Sequence, residues 1–359
     1  MNHAKPSGKL LHLEIMRVFA VYFVMFNHTS GSGYMMFTRV APGSLHYWAY
    51  LLLSIFCKFS VSLFLMISGA LLLPKEPDRL GPLFKKRVLK MSVLLFVVSL
   101  LYYCRTMLLT PDGQYGIRHF CETLYASETS RHLWYLYMYL AFLLILPFLQ
   151  ALVKNLRDEH FVFMILLSIV TNCISLMEAL LLRGQLHLNS HFAFTWIPDI
   201  ILYPCVGYYL EHRLTITKKN TLAVGILNAV CLASSAYLTY YYKVNPSSDI
   251  SIGDTFFHKR FVLVNAISIY MYIKLVSQNT RLSPSIDRLL LSMGSCTFGI
   301  YLIHKAVMAS PHHHAVMRVF KRFIGNPMLA CLAYCLFVLF FCYLLILLLK
   351  KIPVIKNYI

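Results

Sequence analysis

Apolar runs of near-bilayer length recur along the chain, bounded by polar or basic residues, at 10–30, 46–73, 88–109, 133–153, 161–182, 194–211, 221–242, 258–277, 289–309 and 327–349. A hydrocarbon core needs about 20 helical residues to cross it. The pattern therefore predicts an all-α polytopic integral membrane protein, a bundle of about ten transmembrane helices. No polar stretch between the runs is long enough for an ordinary soluble domain, so residues 1–359 read as a single transmembrane domain. No internal repeat is visible.

The first run breaks the apolar rule in a regular way. It carries Glu14, Arg17 and His28 within Leu11 to Thr29. At about 100° per residue, the eleven steps from Arg17 to His28 come back to within about 20° of the same face, about 16 Å further along the axis. Glu14 lies one turn before Arg17 and joins the same stripe. Ionisable groups inside a membrane span cost several kcal/mol and mark functional sites by default. A polar network that only sets helix packing is the plainer reading, but three ionisable groups on one stripe exceed what packing needs. Because the run is long and carries Glu14 and Arg17, it does not read as a cleaved signal peptide.

Composition agrees with the membrane reading. The chain is 58% hydrophobic and 13% charged, against about 25% charged in soluble domains, and its mean hydropathy is +0.64. The formal net charge of +19 needs no nucleic acid, because basic loops and anionic lipid account for it. Lys and Arg favour the segments that lie inside when the N-terminus is cytoplasmic, although Arg318, Lys321 and Arg322 cut against that bias. The positive-inside rule thus predicts a multi-pass protein of the plasma or inner membrane with both termini cytoplasmic.

Most of the ten cysteines lie inside or beside the runs and read as small apolar fillers. Cys104 and Cys121 flank an outer loop and either pair or remain thiols. No Cys/His spacing of a metal site occurs, and His312-His313-His314 reads as a solvated loop cluster, so no metal is expected. Ser68-Gly69 reads as a close helix contact rather than a nucleophile. Asp199, after Pro198, has Arg260 as its plausible partner.

Several blocks together resemble acyltransferase family 3. Leu13-Glu14-Ile15-Met16-Arg17 closed by Asn27-His28 is similar to that family's opening helix, and Phe59 to Gly69 to its second-helix signature. Phe84-Lys85-Lys86-Arg87-Val88-Leu89-Lys90 resembles its basic approach to the third helix. His132-Leu133-Trp134-Tyr135-Leu136, Gly207-Tyr208-Tyr209-Leu210 and Phe298 to His304 resemble later blocks, in order. One departure is Lys90, where the family often has a second Arg; bidentate phosphate geometry is lost there.

The resemblance implies an acyl-CoA-dependent O-acyltransferase that moves an acyl group, most simply acetyl from acetyl-CoA, to a hydroxyl of an envelope glycan, free or lipid-linked. His28 suits the general base, since imidazole titrates near neutral pH. Arg17 would hold a donor oxygen, and Glu14 would keep Arg17 charged and fixed. Lys85, Lys86, Arg87 and Lys90 would hold CoA phosphates, or serve only as an inner anchor. Trp134, His304 and Lys58 are the candidates for the acceptor side, with His132 beside Trp134 for a stacked sugar. The rival class is a transporter or flippase of a glycan-type substrate, disfavoured by the lack of repeats and of paired broken helices. The oligomeric state is not legible.

Overall fold

The computed structural model describes residues 10–181, 189, 197–245, 261–310 and 313–358, and among them every regular element is helical. α1 (Leu11–Asn27) is followed by two short 3₁₀ turns, then α2 (Leu45–Phe56) and α3 (Phe59–Leu72). The apolar run 46–73 is thus two helices, not one. They part at Cys57-Lys58, where the Asn27 side-chain amide donates to the carbonyl of Cys57 at 3.1 Å. α4 (Leu80–Leu83) runs through a π turn at Phe84–Val88 into α5 (Leu89–Leu109), and α6 (Ile117–Ala126), α7 (Trp134–Asn155) and α8 (Asp158–Leu181) follow. The chain continues through α9 (Asp199–His212), α10 (Lys218–Val244), α11 (Val262–Asn279) and α12 (Pro284–Met308), and closes with α13 (His313–Ile324), α14 (Pro327–Leu349) and α15 (Pro353–Lys356).

Among the described residues, six helical stretches are long and apolar enough to cross a bilayer: Leu45–Leu72, Leu80–Leu109, Arg131–Asn155, Lys218–Val244, Pro284–Met308 and Pro327–Leu349. The expected count of ten is not reached by that measure. α1, α9 and α11 fall short for a physical reason. α1 and α9 are only 17 and 14 residues long, and α1 and α11 carry polar groups that they bury against neighbours, Glu14 on the first and Asn265 and Lys274 on the second.

α1 is central, packed between α3, α11, α12 and α14. It runs parallel to α12, because Glu14 faces Gly294 near one end and His28 faces His304 near the other. A Cβ at Gly294 would fall on the Glu14 side chain, so glycine there is what lets the acidic residue sit between the two helices. α3 and α9 also run parallel, backbone against backbone. Gly69 meets Pro204, Gly207 meets Met66, and His212 Nε2 donates to the Ala70 carbonyl at 2.7 Å. Small residues allow this approach, the usual means of helix association in lipid. Ser68 and Gly69 therefore serve packing, and Ser68 Oγ donates to its own helix at Phe64.

The bundle has a Leu11 end and a His28 end. At the Leu11 end, Glu211 of α9 accepts from Tyr270 (2.7 Å) and pairs with Lys274 (3.1 Å) and His12 (3.0 Å). At the His28 end, α13 is amphipathic. Met317 is buried, Phe320 packs on Tyr334, and the flank carrying Arg318, Lys321 and Arg322 is left outside the core. This explains why those three cations depart from the loop-charge bias, since they belong to a surface-lying helix. Cys104 and Cys121 are free thiols. Arg260 lies outside the described residues, and so do His312 and the side chain of His314, whereas His313 Nδ1 lies 2.6 Å from the Tyr334 hydroxyl.

Candidate active site

The stripe on α1 faces the bundle interior. Arg17 Nη1 donates to Glu14 Oε1 at 2.6 Å, with the Glu14 side chain 5% exposed and that of Arg17 27% exposed. The other Glu14 oxygen is buried without a hydrogen-bond partner among the described residues. A carboxylate one turn from a guanidinium lowers the cost of holding that cation in a low dielectric. The free face of Arg17 opens into a cavity of about 320 Å³ whose walls include Ser68, Tyr135, Tyr139, Phe298 and Tyr301.

Three histidines from three distant segments meet at the other end of the stripe. His28 caps α1: its backbone N–H donates to the carbonyl of Met25 at 2.9 Å, and that of Thr29 to the carbonyl of Phe26 at 3.0 Å. Its ring centre lies 5.3 Å from that of His304 on α12 and 6.3 Å from that of His132, which precedes α7. His132 and His304 are 5.2 Å apart and essentially inaccessible, at 1% and 0% exposure. His28 is only half-buried, which makes it the member of the cluster that a substrate can reach.

Their hydrogen bonds fix which nitrogens remain available. His304 Nδ1 donates to the Tyr301 carbonyl at 2.6 Å, which leaves a lone pair on Nε2. His132 Nδ1 lies 3.0 Å from Ser130 Oγ. Nε2 of both rings is buried without a hydrogen-bond partner among the described residues. The Tyr301 hydroxyl donates to the His132 carbonyl, tying α12 to the start of α7. Among the described residues, no three His, Cys, Asp or Glu side chains are disposed to hold a metal ion.

The basic cluster is divided. Lys86, Arg87 and Lys90 line a second cavity of about 330 Å³, whereas Lys85 does not. Arg87 also pairs with Asp78 at 3.3 Å. This second cavity and the Arg17 cavity share Met91, Tyr139 and Phe298 as walls. The Arg17 cavity in turn reaches Tyr301, whose ring packs on both His132 and His304. The basic mouth, Arg17 and the histidines are therefore stations in order along the bundle.

Lys58 begins α3 with its ammonium 4.0 Å from the centre of the Tyr34 ring, and it acts electrostatically on His28 together with Lys305. Trp134 is 42% exposed at the start of α7, and its ring packs on Tyr135. It lines neither cavity. The sequence pointed to His304 and set His132 only beside Trp134. The two had no visible link to His28, because 276 and 104 residues separate His304 and His132 from it along the chain. A family model described as an acyltransferase domain matches residues 10–347, nearly the whole chain. No curated protein sequence and no solved structure matches it.

Proposed function

The chain belongs to acyltransferase family 3 and is a membrane acyltransferase, and we propose that it moves an acyl group, most simply acetyl, from a cytoplasmic acyl-CoA to a hydroxyl of an envelope glycan, with His28 as general base. The observation that carries this reading is the pair of cavities running from a basic mouth, past Arg17, to Tyr301, whose ring packs on His132 and His304 beside the half-buried His28.

Each station suits one part of the donor. Lys86, Arg87 and Lys90 offer cations to the nucleotide phosphates. The thioester arm extends through the Arg17 cavity. Arg17 lies about 16 Å from His28 along the axis by helical rise, too far to touch a carbonyl being attacked there. Arg17 and its partner Glu14 are therefore positioning residues that hold the arm of the donor, and His28 is the catalytic residue. The acceptor oxygen attacks the thioester carbon as His28 takes the hydroxyl proton. The C–S bond then breaks, and the CoA sulfur leaves as the thiol once that proton is returned. His304 and His132 wall the base. Trp134, exposed two residues beyond His132, offers an apolar ring to the acceptor sugar, and Lys58 borders the same side.

The test is transfer of label from acetyl-CoA in membranes carrying wild type or His28→Ala. Acylated acceptor formed only with His28 supports the reading. Movement of an unmodified glycan with no label incorporated would favour the transporter instead.

A further inference from the structure

A third cavity adjoins the basic mouth, with which it shares Leu94 and Tyr358 as walls, but its chemistry is different. It is a groove of about 580 Å³ between α5, α12 and α14, closed at the Leu11 end by Val354, Ile355 and Tyr358. Its α5 wall runs from Val93 to Arg105, about 18 Å at helical rise. That wall is aliphatic apart from Tyr102 and Arg105, and no acidic residue lines the groove.

Arg105 stands at the His28 end of the groove. Its Nη2 donates to the Ala309 carbonyl at 2.7 Å, and its charge acts on Lys305 together with that of Arg131. None of these three cations forms an ion pair with a described residue. The groove also touches the histidine cluster. Tyr102 lines it, donates to the Leu302 carbonyl at 2.9 Å, and packs its ring 4.9 Å from that of His132. One aromatic side chain separates an 18 Å apolar channel from the wall of the catalytic base.

We propose that this groove holds the hydrocarbon tail of the acceptor itself, a lipid-linked glycan whose phosphate or diphosphate is bound by Arg105, Lys305 and Arg131. The aliphatic wall matches the tail, and the cations match the phosphate where the wall ends. The sugar beyond the phosphate then falls beside His28. A bulk phospholipid has the same two parts, but nothing in it gives reason for the cations to adjoin the histidines. The inference rests on the acyl-transfer reading and narrows its acceptor to one class.

The experiment reads binding apart from transfer. Full-length protein in nanodiscs is titrated with a fluorescent polyprenyl-diphosphate monosaccharide, with phosphatidylglycerol and a water-soluble oligosaccharide as competitors. Val97→Trp fills the groove and Arg105→Ala removes its cation. Each is expected to weaken probe binding about tenfold, the worth of one charge-assisted contact, while acetyl-CoA binding is unchanged. Arg105→Lys should restore most of the affinity, which separates loss of charge from misfolding. Equal probe binding by wild type, Val97→Trp and Arg105→Ala overturns the proposal. Competition by phosphatidylglycerol as strong as that by unlabelled probe also overturns it. Groove-dependent binding with no label transferred from acetyl-CoA leaves this site standing and removes the acyl-transfer reading instead.

Discussion

The ring of His304 sits 5.3 Å from that of His28, centre to centre, with its Nδ1 committed to a backbone carbonyl and its Nε2 bare. Of the two, His28 is the one within reach of substrate and His304 the one locked in place. That division predicts different kinetics. His28→Ala should lower kcat by about 10²–10⁴-fold, the usual worth of a general base, at matched expression. His304→Gln should lower kcat less and leave KM for acetyl-CoA unchanged, because His304 acts through His28. Steady-state assays on both variants check this. Activity of His28→Ala within about threefold of wild type would move the base elsewhere.

Glu14 and Arg17 form one unit, and their variants should not add. Arg17→Ala is expected to raise KM for the acyl-CoA, since it removes a cation from the donor cavity while the histidines remain intact. Glu14→Gln should give a similar, smaller rise by loosening Arg17. The double variant should resemble Arg17→Ala alone. Gly294→Ala should mimic the Glu14 change without touching charge, because its Cβ would fall on the Glu14 side chain.

The basic mouth predicts a contrast within one run of sequence. Replacing Lys86, Arg87 and Lys90 by Ala should raise KM for acetyl-CoA with little change in kcat. The effect should shrink as salt rises, because exposed charges are screened over about 8 Å at physiological ionic strength. Lys85→Ala should leave KM unchanged, since Lys85 lines neither cavity. An unchanged KM in the triple variant would leave the cluster as a topological anchor only.

Helical period was enough to read the stripe on α1 and its ion pair, because Glu14, Arg17 and His28 share one element. The helical class and the family were equally legible, from apolar runs and ordered blocks. What sequence could not supply was contact between elements. His132 joins His28 only because α7 begins at the same end of the bundle at which α1 stops. The Glu211, Lys274, Tyr270 and His12 cluster left no local pattern at all. Of the ten apolar runs, six are matched among the described residues by helices long and apolar enough to cross a bilayer. A run such as 194–211 is apolar because α9 packs its backbone on α3, and apolar character alone cannot tell a core helix from one that meets lipid.

That unread cluster carries a stability prediction. Glu211 and Lys274 are each 8% exposed at the side chain and 3.1 Å apart, and the Lys274 ammonium also donates to the carbonyls of Leu210 and Glu211. Lys274→Met should destabilise the protein by about 3–5 kcal/mol, because it strands a buried carboxylate. Adding Glu211→Gln should recover part of that loss. Chemical unfolding in detergent micelles measures both, and equal stability of wild type and Lys274→Met would show that the pair contributes nothing net.

The order of the stations implies that donor and acceptor arrive from opposite faces. Tyr358 lies beneath Lys90, whose ammonium is 5.6 Å from the centre of its ring, so the C-terminal segment shares the Leu11 end with the basic mouth. CoA is a cytoplasmic metabolite, and that end is therefore expected to face the cytoplasm. His28 stands about 27 Å along the axis from Leu10 by helical rise, nearly the full hydrocarbon thickness, and the short turn at Ser30–Ser32 follows it directly. In sealed vesicles of known orientation, acetyl-CoA is supplied to one face and an impermeant acceptor to the other. Label should pass only when donor meets the Leu11 face and acceptor the His28 face. Transfer that requires both on the Leu11 face would place the reacting carbonyl near Arg17 and remove His28 from the chemistry.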